Sequence, residues 1–234
     1  MIRIQKAEDR HHADHGWLKS SFSYSFADYY DPQYLQFGPM RVLNDDWIAP
    51  AAGFGMHPHR EMEIVTLVLS GLLEHRDSLG NRAVTTWGEV QRMSAGTGVY
   101  HSEYNASETE PLKLLQMWFQ PAERGLEPSY ETTRFDPASL RGRWVPIASV
   151  SPEAGRVAHV HQDMTIYLTE LEAGTRAEFR QEAGRRMFLF VVEGEIRLNG
   201  TESLGRRDAA RIEGETELAL ESGSGATVML IDLP

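Results

Sequence analysis

The chain contains no cysteine. Disulfide scaffolds, thiolate metal sites and cysteine nucleophiles are therefore excluded, and any metal has to sit on imidazole and carboxylate. Basic residues are in the minority, with 23 Lys and Arg against 34 Asp and Glu, a formal net charge of −11 and a pI near 5.3. No broad basic field exists to attract phosphate backbones or anionic lipid headgroups, so neither nucleic acid nor a membrane surface is an expected partner. Long hydrophobic runs are missing too: nothing approaches the roughly 18 apolar residues that span a bilayer. The opening Met1-Ile-Arg-Ile-Gln-Lys6 has no continuous apolar stretch of the secretory kind. A cytoplasmic setting is the expectation. Helical periodicity is also scarce.

With 234 residues and 41% hydrophobic content, a substantial core can form. Short β-rich runs alternate with turn residues over 40–119, and the same texture returns over 145–233. Ile64-Val-Thr-Leu-Val-Leu69 followed by Gly71 reads as a buried strand entering a turn, and Asp77-Ser-Leu-Gly-Asn81 as a hairpin tip. Phe188-Leu-Phe-Val-Val192 followed by Gly194 repeats that grammar, which makes the chain an internal repeat at low resolution. Pro121 to Pro137 carries three prolines and suits an irregular connector. The expected division is an amino-terminal domain over 1–120, a connector over 121–145 and a carboxy-terminal domain over 146–234. The first thirty residues can pair with either half.

Two doublets carry the chemistry: His57-Pro58-His59 and His101-Ser102-Glu103. On a strand, positions i and i+2 share a face, so two neighbouring strands can aim four ligands at one point. Sliding Gly71 onto Gly194 sets His57 and His59 against Arg180 and Glu182. Matching Glu89 to Asp208 sets His101 and Glu103 against Leu220 and Ser222. The second half then has the scaffold without ligands, and one metal per chain is expected.

The stretch Gly53-Phe-Gly-Met-His-Pro-His-Arg-Glu-Met-Glu63, and Gly88 through Gly96-Thr-Gly98-Val-Tyr-His101-Ser-Glu103-Tyr-Asn105, resemble the two cupin motifs. More closely they resemble the pirin family. The resemblance implies an all-β fold of two tandem cupin jelly-roll β-barrels (a bicupin) with few short helices, the first barrel holding one metal. It also implies His57, His59, His101 and Glu103 as ligands. Pro58 cannot donate to a ladder and suits an edge strand. Other cupins take their carboxylate from the position of Glu63; strand spacing sets it roughly 13 Å from His59, against about 7 Å between His101 and Glu103, so Glu63 is expected behind the ligands. His75 is expected to face solvent, His11, His12 and His15 to be exposed histidines of the tail, and His159 and His161 to be structural.

Three neutral imidazoles and one carboxylate leave a divalent ion with a net charge of about +1 and, at six-coordination, two open positions. Such a site suits an anionic oxygen ligand beside dioxygen, with iron first among the candidate metals and cobalt, nickel, copper or zinc as alternatives. The resemblance implies quercetin 2,3-dioxygenase activity, which opens a flavonol ring with loss of carbon monoxide. Its partners are then a small aromatic substrate and dioxygen. Glu103 is either the base that takes the hydroxyl proton or a ligand alone. Phe54, Met56 and Gln116 are the expected substrate contacts, with Tyr100 as a further apolar wall and Met117 as core. The alternative from another class is a non-catalytic regulatory protein that binds metal and acts through protein contact. An isomerase or a different oxygenase on the same scaffold is a further alternative.

Overall fold

The computed structural model describes residues 1–234. Two 3-10 turns, Ala7–Asp9 and Pro137–Leu140, are its only helical elements, in line with the all-β expectation. No helix is long and apolar enough to cross a membrane. In chain order the strands are β1 (Ile2–Gln5), β2 (His11–Asp14), β3 (Leu18–Phe22), β4 (Met40–Ile48), β5 (Gly53–His59) and β6 (Glu63–Ser70). Then come β7 (Leu73–Asp77), β8 (Arg82–Thr85), β9 (Glu89–Ser94), β10 (Val99–Asn105), β11 (Leu112–Phe119) and β12 (Ser129–Arg134). The later ones are β13 (Val145–Ser149), β14 (Ala158–His159), β15 (Thr165–Leu171), β16 (Thr175–Arg180) and β17 (Arg186–Gly194). The last are β18 (Ile196–Leu198), β19 (Glu202–Leu204), β20 (Ala209–Glu213), β21 (Glu217–Ser222) and β22 (Ala226–Leu233).

Contacts divide the chain into two compact units. The first barrel comprises His11–Phe135 and Val150–Gln162; the second comprises Met1–Arg10, Asp136–Ser149 and Asp163–Pro234. This division differs from the linear cut at 120 and 146 in three places: residues 121–135, expected as an irregular connector, go with the first barrel, where β12 pairs along β9, and two further segments change sides. β1 pairs along β20, from Ile2 opposite Ile212 to Gln5 opposite Ala209, which takes the first ten residues into the second barrel. In the first barrel, the His159 N–H donates to Glu131 and the His161 N–H to Glu63, which fastens 150–162 there. Backbone groups that need partners decided the division, and a chain-order cut has no access to them.

The first barrel has a large antiparallel sheet in the order β12-β9-β6-β11-β4-β3-β2 and a smaller one in the order β5-β10-β7-β8. β6, the continuous apolar run, lies in the middle of the large sheet, where both faces lose water. Leu18, Ile48, Val68, Leu112 and Leu114 from the large sheet close over Leu73 from the small one. The second barrel repeats the plan with β20-β17-β22-β15 and β16-β21-β18-β19. Gly71 (φ 91°) ends β6 as Gly194 (φ 81°) ends β17, so the glycine pair chosen from sequence marks corresponding turns. Added Cβ atoms would meet backbone at both, Pro111 O in one case and Gly225 O in the other.

Candidate metal centre

β10 lies between β5 and β7, and its inward side chains carry the site. Across it, His101 pairs with His57 and Val99 with His59, and Glu103 pairs with Phe54 after a register shift. That shift is a bulge: two residues of β5, Gly55 and Met56, oppose one of β10, Ser102, so Phe54 and His57 both point inward although they are an odd number apart. β5 runs at the sheet edge, as Pro58 requires, and Gly53 lets it approach so closely that a Cβ there would strike the Glu103 carbonyl. The three imidazoles converge, with ring centres 4.8 Å (His57 to His59), 4.4 Å (His57 to His101) and 4.8 Å (His59 to His101) apart.

Each ring keeps a nitrogen for a metal. The His57 Nδ1–H donates to the Gly55 carbonyl at 2.8 Å, which leaves Nε2 as a lone pair. Behind His101 stands a relay. Asp77 Oδ2 only accepts, so His75 Nε2, at 3.1 Å, carries the proton; His75 Nδ1 then accepts from His101 Nδ1–H at 3.4 Å. His101 Nε2 is left unprotonated, buried and without a partner in the protein. A buried lone pair of this kind costs about 1–3 kcal/mol unless something binds it. Burial first, then His101 and His57, pushes His59 down to about 4. Burial, then His57 and His75, pushes His101 down to about 3. Both are neutral imidazoles at physiological pH, the form that binds a divalent ion, and the donor set fits one.

Glu103 stands slightly apart from this trio. Its carboxylate clusters with His75 and His101, whereas His57, His59 and His101 form their own group, each set having ligand atoms within 4.8 Å of one another. Two amides grip it: Gln91 Nε2 donates to Oε1 at 2.6 Å and Gln116 Nε2 to Oε2 at 2.8 Å. Each amide is itself oriented, because Tyr130 Oη–H donates to Gln91 Oε1 at 3.0 Å and Trp118 Nε1–H to Gln116 Oε1 at 3.0 Å. The clamp lets Glu103 face the trio with one lone-pair direction free on each oxygen.

Comparison with known proteins places this arrangement. Residues 4–119 match the family profile Pirin, and 147–233 match that of the quercetinase C-terminal cupin domain. A quercetin 2,3-dioxygenase of Escherichia coli (strain K12) is 44% identical over 235 residues, covering 100% of this chain and 99% of that protein. The chain belongs to the pirin family. A pirin-like protein of Caulobacter vibrioides is 38% identical over 94% of both chains. Among solved structures, the bacterial pirin YhhW of Escherichia coli in complex with nickel(II) superposes with a TM-score of 0.94 at 43% identity, covering 100% of this chain and 99% of that one.

In this pirin a cavity of about 430 Å³ is lined by His57, His59 and Glu103 on one side, while His101 is buried and is no part of the lining. Trp17, Phe22, Phe26, Phe54 and Trp118 supply its aromatic walls. Phe54 and Gln116 are among its lining residues. Met56 does not: the bulge turns it outward, 58% exposed, and it is no part of the lining. Tyr100, paired opposite Pro58, is likewise turned to the outer face, 54% exposed, and Met117 is core. His75 reverses its expectation. It is fully buried, stacked on Tyr130 with ring centres 4.1 Å apart, because β7 alternates and Leu73, His75 and Asp77 share the inner face.

Glu63 is turned away from the trio: its Oε2 accepts from Ser94 Oγ and from the His161 N–H, and belongs to neither ligand group. His11, His12 and His15 are exposed, as expected, but they are not a loose tail: His11 and His12 lie on β2, with His11 stacked on Tyr29 at 4.3 Å, and His15 lines the cavity. The walls on β3 and Trp118 were missed. The signals were an inward Leu18-Ser20-Phe22 alternation and Trp118 two residues after Gln116.

Strand register also amends the sliding comparison. Glu103 pairs with His75 as Leu220 pairs with Leu198, and His101 with His57 as Leu218 with Phe179. The second-barrel counterparts of His57, His101 and Glu103 are then Phe179, Leu218 and Leu220, in place of Arg180, Leu220 and Ser222, and that of His75 is Leu198. All four are buried in one apolar cluster. The offset moves by one residue on β5 and by two on β10.

Proposed function

We propose that this pirin is a metal-dependent dioxygenase that cleaves a flavonol of the quercetin type at a mononuclear site of His57, His59, His101 and Glu103. The observation that carries the reading is the convergence of three imidazoles, one of them the buried His101 with an unpartnered Nε2, beside an aromatic-lined cavity that His57, His59 and Glu103 line. Its volume of about 430 Å³ suits a flat, drug-sized aromatic. Its 44% identity to a quercetin 2,3-dioxygenase and its likeness to a nickel-bound pirin support the chemistry and the metal requirement.

A divalent ion bound there supplies Lewis acidity toward an ionised hydroxyl and a meeting point for dioxygen. The protein's own groups do the rest. Trp17, Phe54 and Trp118 flank the cavity and exclude water from the ring. Glu103, aimed by Gln91 and Gln116, takes the proton of the hydroxyl that ionises. The relay from Asp77 through His75 keeps the His101 lone pair directed inward. Both atoms of dioxygen enter the products, and the ring carbon that bore the hydroxyl leaves as carbon monoxide.

The test is to load the protein in turn with iron, cobalt, nickel and copper, add quercetin in air, and follow flavonol absorbance and carbon monoxide. Turnover with at least one metal is expected. His101→Ala and Glu103→Ala should lose both metal and turnover while staying folded; one ion per chain by mass spectrometry in both variants contradicts the ligand set. No turnover with any of the four metals favours a binding role instead.

A further inference from the structure

The inner face of β4 should be apolar. Met40, Val42 and Ile48 are, but Asn44 and Asp46 occupy the two positions between them, 3% and 5% exposed. Asn44 Oδ1 is buried with no partner in the protein. Asp46 lies directly opposite Ser20 of β3, whose hydroxyl donates to Asp46 Oδ1. All three side chains line the same cavity as His57, His59 and Glu103.

The second barrel serves as an internal control. Asn44 pairs with Gln116 and Asp46 with Leu114 on β11 as Tyr167 pairs with Leu230 and Thr169 with Val228 on β22, so Tyr167 and Thr169 are the corresponding positions. There the buried hydroxyl of Thr169 donates to the Leu140 carbonyl at 3.4 Å, and Tyr167 packs on an apolar cluster. The scaffold alone therefore does not demand a free amide at this point of the sheet. An orphaned acceptor at a cavity wall is destabilising and is expected to persist where a ligand satisfies it.

We propose that Ser20, Asn44 and Asp46 form a second, polar subsite of the cavity that takes a ring hydroxyl of the substrate, so that the pocket selects polyhydroxylated aromatics over bare ones. A phenolic O–H matches both acceptors: it donates to Asn44 Oδ1 or to the Asp46 carboxyl, and its own oxygen accepts in return. Burial pushes the Asp46 carboxyl up to about 7 against the lowering by the Ser20 hydrogen bond, so near neutrality it offers both a protonated and an ionised form. The aromatic walls between supply stacking but no hydrogen bonds; the three polar groups supply discrimination.

The inference rests on the flavonol reading, and a binding experiment separates the two. Dissociation constants of quercetin and of the parent 3-hydroxyflavone, which lacks the other ring hydroxyls, are measured anaerobically on nickel-loaded protein. The wild type should prefer quercetin by about tenfold or more, the worth of one well-made hydrogen bond. Asn44→Leu, close in volume and without the orphaned acceptor, should shrink that preference by about tenfold and melt at or above the wild-type temperature. Ser20→Ala should shrink it in the same direction, and serves if Asn44→Leu does not fold. Equal binding of the two flavonols, or a preference that survives both substitutions, overturns the subsite and leaves the flavonol reading standing. Binding of neither overturns both.

Discussion

At the scale of single residues, the state of one proton organises the centre. His101 can offer Nε2 only if its proton stays on Nδ1, and that depends on His75, which depends on Asp77. Burial would push the Asp77 carboxyl up, but donors from Asn81 and His75 outweigh it and hold it below the usual carboxylate range. Its other oxygen accepts the N–H groups of Leu79 and Asn81 at 2.9 Å each, so the turn after β7 fixes it in place. Asp77→Asn keeps the shape and removes the charge. It should weaken metal binding about 10- to 100-fold, as loss of an outer hydrogen bond to a ligand histidine does, read by competition with a coloured chelator. An unchanged affinity would show that His101 holds its tautomer without the relay.

At the scale of elements, short segments are fastened by a few well-placed groups. β1 and the 3-10 turn after it are held to the second barrel at Asp208, which accepts from Lys6 Nζ at 2.8 Å, the Ala7 N–H at 2.8 Å and the Gly205 N–H at 2.9 Å. Burial pushes this carboxyl up, yet Lys6 and the two N–H groups outweigh it and hold it below its ordinary value. A depressed folded-state value means the stabilisation is fully present above the unfolded value, about 3.9, and is lost as pH falls through the folded one. Asp208→Asn should cost about 1–2 kcal/mol at neutral pH. In urea melts the gap from wild type should close as the solution is made acidic; a gap that widens contradicts the assignment.

At the scale of the whole molecule, one plan is used twice with opposite interiors. Across the large sheet of the first barrel, Asn44, Gln116, Thr66 and Gln91 form a transverse polar row. The corresponding row of the second barrel, given by the same ladder steps, is Tyr167, Leu230, Leu189 and Ala210. The apolar row packs and stabilises, whereas the polar row holds Glu103 and lines a cavity, a division expected when a site is grafted onto a general scaffold. Leu189, fully buried, should cost about 2–5 kcal/mol when cut to Ala. Thr66, whose buried Oγ1 has no partner, should tolerate replacement by Val with no loss of stability or a small gain. Denaturant midpoints of the two variants check this, and a large loss for Thr66→Val would mean that its hydroxyl is satisfied after all.

Strand alternation and turn glycines were readable locally, so the all-β repeat and the edge position of Pro58 followed from residue types and spacing, and the ligand histidines from the family resemblance of their two motifs. What the sequence by itself determined is periodicity and chemistry: which side chains share a face, and that only imidazole and carboxylate were available for a metal. The bulge in β5, the burial of His75, the amide clamp on Glu103 and the attachment of residues 1–10 and 150–162 were decided by tertiary structure alone. Each depends on which distant strand supplies the missing hydrogen-bond partner, a quantity fixed by long-range pairing and invisible to any local pattern.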